Sequence, residues 1–322
     1  MGLHVRSLAL VLLSLAWSGQ VANLPPPPGR LVDVDGRKLH LLCTGSGSPT
    51  VVFEAGASSF AIDFSLVQTA LARTLRVCSY DRIGHGWSDP LGDKDPDTVT
   101  TLHALLQTAG EKPPYVLAGA SRGGLHVRRY AARYPEEVAG LVLIDPTHEE
   151  RLFTTFKGEA VTIASLTAEQ LRSTYTPGPP VKIPRRAPQT GAPFALLPSD
   201  LYKTRILLDE RLIASYPDSV PIEVAIAGAE NERAVLAALR AERQANPHPL
   251  GDRPLVVLSR GIDTNDERDA SFAALAQLSR NARHTVVPES GHEIHLFKPS
   301  AVIQAVQDVV EAARTKTRLP PR

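Results

Sequence analysis

The sequence predicts an α/β protein in which a mainly parallel sheet is covered by helices on both faces. Three observations carry that prediction. Short β-rich runs alternate with helical stretches from about residue 50 onward, and parallel strands joined through helices require right-handed crossovers. One strand-to-helix junction passes through "GASRGG", residues 119–124, a turn so tight that glycine is needed on both sides of it. The composition of the 322 residues, 43% hydrophobic and 21% charged, is that of a globular chain with a sizeable core. With 35 Lys and Arg against 34 Asp and Glu, the chain has no overall field to gather polyanions, which argues against nucleic acid as a partner.

The elements follow in order. Residues 1–22, "MGLHVRSLALVLLSLAWSGQVA", place Arg6 before an apolar run from Leu8 to Trp17 and then small residues, the pattern of a cleavable secretory signal. The run is about half of the ~20 apolar residues that a spanning helix needs, so no stable membrane span is expected. The predicted location is secreted or periplasmic. Residues 23–30, containing "LPPPPGR", read as a stiff polyproline spacer.

Eight β-rich runs come next: "RLVDVDG", "RKLHLLCTG", "PTVVFEAG", "LRVCSYDR", "PYVLAGA", "AGLVLID", "PLVVLSRG" and "RHTVVPE". They assign residues 31–145 and 254–316 to one core. Between them, residues 146–253 hold helical pieces such as "TAEQLRSTY" and "RAVLAALRAERQA" around a Pro-rich middle. That is too much chain for a loop, and it reads as an inserted helical lid without strands.

Gly119-Ala120-Ser121-Arg122-Gly123 fits Gly-x-Ser-x-Gly between an apolar strand and a helix, the setting of a nucleophile elbow. A serine hydroxyl attacks only when a base takes its proton. His292, in "SGH" after the last β run, is the best placed of the ten histidines for that task. His295 is the fallback, and His148 reads as a surface residue at the entrance to the insertion. No Gly-rich phosphate loop and no histidine spacing of metal-site type is present, so neither cofactor nor metal is expected.

With these residues in view the chain resembles an α/β-hydrolase of the serine-nucleophile, esterase- and lipase-like kind over roughly residues 30–315. "SYDRIGHGWSDP", residues 79–90, resembles the Asp-Arg-x-Gly-x-Gly-x-Ser loop that follows the fourth strand in many members. "VVFEAG" stands in the place of the family's His-Gly oxyanion loop, but Ala55 occupies the position where histidine is usual. The resemblance implies an eight-stranded sheet, a small-molecule ester as substrate and an oxyanion hole built from the amides of Ala57 and Arg122. Each such donor is typically worth ~3–4 kcal/mol in the transition state. Members with aspartate at the elbow are dehalogenases or epoxide hydrolases; Ser121 points instead to acyl transfer.

The resemblance also sets the second strand beside the fourth, which makes a Cys43–Cys78 disulfide geometrically plausible in an exported chain. Two aspartates are candidates for the acid that orients His292. Asp263 falls where the family's usual acid follows the seventh strand, and it is favoured. Asp145, ending "LVLID", sits where a minority of members carry theirs. The reading is therefore an exported serine hydrolase with a Ser-His-Asp triad. Its rival is a catalytically silent scaffold of the same fold that binds a ligand or a partner.

Overall fold

A computed structural model describes residues 24–91, 97–150, 153–175 and 178–321; the expected signal segment, residues 1–22, lies outside the described residues. The central sheet has eight strands: β1 (Arg30–Val34), β2 (Arg37–Thr44), β3 (Thr50–Glu54), β4 (Val77–Tyr80), β5 (Tyr115–Ala120), β6 (Val138–Ile144), β7 (Leu255–Arg260) and β8 (Ala282–Val287). Their order across the sheet is β1-β2-β4-β3-β5-β6-β7-β8. β2 runs against both its neighbours, and every other pairing from β4 to β8 is parallel.

The period of two explains why both faces need cover. In β5, Val116 and Ala118 join the core on one side while Leu117 joins the core on the other. Helices α1 (Ser65–Leu71), α2 (Thr98–Thr108) and α3 (Gly123–Arg133) follow β3, β4 and β5 in turn. In the insertion come α4 (Ala168–Arg172), α5 (Ser199–Ser215) and α6 (Ile222–Ala245), and after β7 come α7 (Asp266–Ala276), α8 (Ile294–Phe297) and α9 (Pro299–Thr315). α1 and α9 bury Val67, Leu71, Val302 and Val306 on one face, whereas α2, α3 and α7 bury Leu102, Leu105, Val127 and Phe272 on the other.

Cys43 and Cys78 are direct register partners on β2 and β4 and are joined in a disulfide with Cα atoms 4.0 Å apart. The bridge closes a loop spanning 35 residues. Reduction is expected to destabilise the fold by about 4 kcal/mol through released chain entropy. Urea midpoints measured with and without reductant check this, and an unchanged midpoint would show that strand pairing alone suffices.

Two features differ from the sequence reading. The insertion is not wholly helical: Phe153–Phe156 pairs with Glu159–Thr162, and Val181–Lys182 with Ser219–Val220. The first hairpin turns at Lys157 and Gly158, both at positive φ (52° and 83°), the requirement of a tight two-residue hairpin turn. The polyproline stretch, in turn, is docked rather than a free spacer. Trp87 Nε1 donates to the Pro25 carbonyl at 2.9 Å, His40 Nε2 meets the Pro28 carbonyl at 2.5 Å, and Leu24 packs on Phe60, Ile62 and Trp87. Proline carbonyls have no partner within their own helix, so they remain available as acceptors for these side chains.

The insertion is rooted in the core at two places. Leu236 and Leu239 of α6 pack with Leu125 of α3, and Leu208 and Leu212 of α5 pack with Phe60 and Ile62. On α5 itself the fully buried Arg205 lies between Asp63 at 3.3 Å and Asp209 at 3.5 Å, with its guanidinium 3.6 Å from the centre of the Phe194 ring.

Candidate active site

Ser121 closes β5 at φ 51°, a left-handed conformation that costs a non-glycine residue of order 1–3 kcal/mol and must be held by its surroundings. The glycines on either side make this possible. A Cβ on Gly119 would sit 2.5 Å from the Gly123 carbonyl, and one on Gly123 would run into the Glu54 carbonyl of β3. Backbone bonds then fix the elbow: the Ser121 amide donates to Ile144 of β6 at 3.0 Å, and its carbonyl accepts from Gly124 at 3.0 Å and Thr147 at 2.9 Å.

Asp145 follows β6 immediately and is 2% exposed. Its Oδ2 accepts from His292 Nδ1 at 2.5 Å, a contact between residues 147 apart in the chain. Arg260, the last residue of β7, donates to the same carboxylate twice, from its amide at 3.0 Å and from Nε at 2.7 Å, and places Nη2 at 2.6 Å from His292 Nδ1. Burial alone would raise the Asp145 pKa; the hydrogen bonds from His292 and Arg260 more than offset it and hold the carboxyl below its ordinary range.

Asp263, the acid favoured by the sequence, does not meet His292. The amides of Gly261 and Ile262 are both fixed on the Ser290 carbonyl, and beyond them Asp263 is exposed at φ 55°, where its carbonyl takes Arg268 Nη1. The ends of β6 and β7 are adjacent, which brings Asp145 and not the later loop to the histidine. His295 is wholly buried against Phe64 and burial pulls it down to about 4, so it is not a spare base. His148, expected at the surface, is 5% exposed, and its Nδ1 accepts from the Glu150 amide at 3.1 Å.

The loop after β3 passes beside the serine: a Cβ on Gly56 would lie 3.4 Å from that of Ser121. Among the described residues neither the Ala57 amide nor the Arg122 amide donates to a protein acceptor. Both residues line a cavity of about 750 Å³ bordered by Leu91, Leu125, His126 and Val235. The Arg122 side chain reaches across to α6, where Nη1 donates to Glu232 at 2.7 Å.

Sequence reasoning missed two charged residues here. One is Arg260; the other is Glu54, which ends the apolar β3 and is completely buried. Glu54 accepts from Tyr80 Oη, from Arg82 Nη1 at 2.7 Å and from His126 Nδ1 at 3.0 Å. Burial would raise its pKa, but His126, Arg82 and Tyr80 together bring it down to about 2. A depressed carboxylate stabilises the fold above its unfolded pKa and ceases to do so as pH falls toward the folded one. Stability is therefore expected to hold from neutral pH down to about 4.5 and then fall toward pH 2, less steeply in Glu54→Gln. Urea midpoints across that range test it; equal slopes in both proteins would exclude Glu54 as a source.

Among the described residues the one group of His, Cys, Asp or Glu side chains close enough to share a metal is Cys43, Cys78 and Glu111, and both its sulfurs are in the disulfide. No helix of the described residues is long and apolar enough to cross a membrane.

Comparison with known proteins agrees with the architecture. An AB hydrolase superfamily protein of Gibberella zeae is 24% identical over 305 residues, which are 83% of this chain and 87% of that one. The uncharacterized protein YbdG of Bacillus subtilis is 34% identical over 122 residues, 36% of this chain and only 37% of YbdG. The enol-lactonase of Burkholderia xenovorans LB400 has the same fold, with a TM-score of 0.58 at 20% identity over 88% of this chain and 100% of that one. The family model of the alpha/beta hydrolase fold matches residues 49–299, and with that match over most of its length the chain belongs to the α/β-hydrolase fold family.

Proposed function

We propose that this protein is an exported serine hydrolase that cleaves an ester-type acyl bond through an acyl-enzyme, with Ser121 as nucleophile, His292 as base and Asp145 as the acid. The observation that carries this reading is the 2.5 Å contact between His292 Nδ1 and the buried carboxylate of Asp145, together with a serine held at positive φ on a glycine-flanked turn. With Nδ1–H donated to the carboxylate, the lone pair of His292 lies on Nε2 and can take the Ser121 proton.

Ser121 Oγ then attacks the carbonyl carbon, and the carbonyl π electrons move to oxygen as it enters the hole between the Ala57 and Arg122 amides. Collapse of the tetrahedral intermediate breaks the ester bond, and His292 returns its proton to the departing alcohol. Water, deprotonated by the same histidine, attacks the acyl-serine; the bond from the acyl carbon to Ser121 Oγ then breaks, His292 returns the proton to Oγ, and the acid is released. Arg260 fixes the Asp145 carboxylate by two hydrogen bonds, one to each oxygen. Export is supported by the leader pattern of residues 1–22 and by the disulfide, which persists in oxidising compartments.

A cavity of about 750 Å³ lined by Ala57 and Arg122 is the size of an ordinary small-molecule site and favours short to medium acyl groups. In a panel of p-nitrophenyl esters, butyrate to octanoate is expected to exceed palmitate by about tenfold or more in kcat/KM. A maximum at palmitate would overturn this choice of acyl group.

A further inference from the structure

We infer that Arg82 is the positioning residue that aims the Ala57 amide, doing through the neighbouring loop what Ala55 has no side chain to do. The inference rests on the reading of Ser121 as nucleophile. Arg82 is 9% exposed and comes from the loop after β4. Its guanidinium donates to three consecutive carbonyls of the loop after β3: Nη1 to Ala55 at 2.7 Å, Nη2 to Gly56 at 2.6 Å, and Nη2 again to Ala57 at 3.4 Å. His85 Nε2 holds the Ala57 carbonyl from a second direction at 2.9 Å.

The middle contact matters most. The carbonyl of Gly56 and the amide N–H of Ala57 belong to one planar, trans peptide unit and point in opposite directions. Whatever fixes the Gly56 oxygen therefore fixes where the Ala57 N–H points. A cation on that oxygen also polarises the peptide and strengthens its N–H as a donor. Arg82 thus sets both the direction and the strength of one oxyanion donor from the far side of the peptide plane, without touching the substrate's reacting oxygen.

The guanidinium is itself held in place. Glu54 Oε1 takes Nη1 at 2.7 Å, and that buried carboxylate is fixed in turn by Tyr80 Oη and by His126 Nδ1. A buried arginine used only as ballast would be satisfied by its carboxylate; here the fork is shared between the carboxylate and the loop. Lysine, a single point donor on a flexible stem, would keep the charge opposite Glu54 but not reach all three oxygens.

The test uses the full chain and a fluorophosphonate probe, because phosphonylation of Ser121 builds negative charge in the same hole whatever the natural substrate is. Arg82→Met is expected to lower the maximal labelling rate by 10²–10³-fold, the usual loss for one oxyanion donor, while half-saturation by probe changes less than about threefold. Arg82→Lys preserves the pairing with Glu54 should the methionine variant fail to fold, and it is expected to lose at least about tenfold in the same rate constant. A variant that loses thermal stability but keeps the maximal labelling rate per folded molecule overturns the inference and leaves Ser121 as nucleophile. So does one whose loss is confined to probe affinity, which would make Arg82 a binding residue of the cavity. Absence of Ser121 labelling in the unaltered protein would instead defeat the hydrolase reading itself.

Discussion

Ser121→Ala is expected to abolish turnover, a loss of roughly a million-fold, with the fold unchanged. The magnitude follows from the role: with no oxygen at the elbow no acyl-enzyme forms, and what remains is the residual help of the oxyanion hole and substrate binding. The fold should survive because among the described residues the Ser121 hydroxyl makes no hydrogen bond within the protein, whereas the backbone at 121 keeps its bonds to Ile144, Gly124 and Thr147. Ester hydrolysis, fluorophosphonate labelling and circular dichroism on the same preparation separate the outcomes. Full turnover or labelling in the alanine variant would end the serine-hydrolase reading. A wild-type chain inert to both would favour a silent scaffold.

The second large effect concerns the acid. Asp145→Asn is expected to lower kcat by about 10⁴-fold and Asp263→Asn by less than about twofold. Asparagine nearly keeps the shape of Asp145, but its amide can turn NH₂ toward Nδ1, and the imidazole then carries its proton on Nε2, where it cannot accept from serine. Arg260 compounds the loss: its Nη2 stands 2.6 Å from the same ring nitrogen and 2.5 Å from Asp145 Oδ2, a cation that neutralising Asp145 leaves beside the imidazole without its carboxylate. Asp263 carries only an exposed carboxylate in a polar turn. Kinetics on the pair of variants decide it; a collapse in Asp263→Asn with Asp145→Asn near wild type would move the acid to the seventh strand.

What was legible in the sequence follows the range of the interactions. The eight strands were: the central ones, buried on both faces, are continuous apolar runs such as "YVLAGA", and the edge strand β1 alternates exposed and buried positions in "RLVDV". Ser121 was, because the clearance it needs is written in its two nearest glycines. The choice between Asp145 and Asp263 was not, since it turns on how closely the ends of β6 and β7 approach a histidine far away in the chain. Arg82 was visible as part of a motif, but beyond Glu54 its partners are the carbonyls of residues 55–57, which carry no side-chain signature. The hairpin at Lys157–Gly158 escaped because four-residue strands alternate too briefly to stand out from coil.

The docked segment from Leu24 to Pro28 has a practical consequence for shortened forms of this protein. A chain trimmed to begin at the first strand would strip cover from Phe60, Ile62 and Trp87, the cluster on which α5 also rests. It would also leave the Trp87 indole N–H and a ring nitrogen of His40 without the carbonyls they now meet. The smallest unit able to fold with its insertion seated thus begins no later than Leu24, and an affinity handle belongs upstream of that leucine or beyond Pro320, whose carbonyl Arg283 holds.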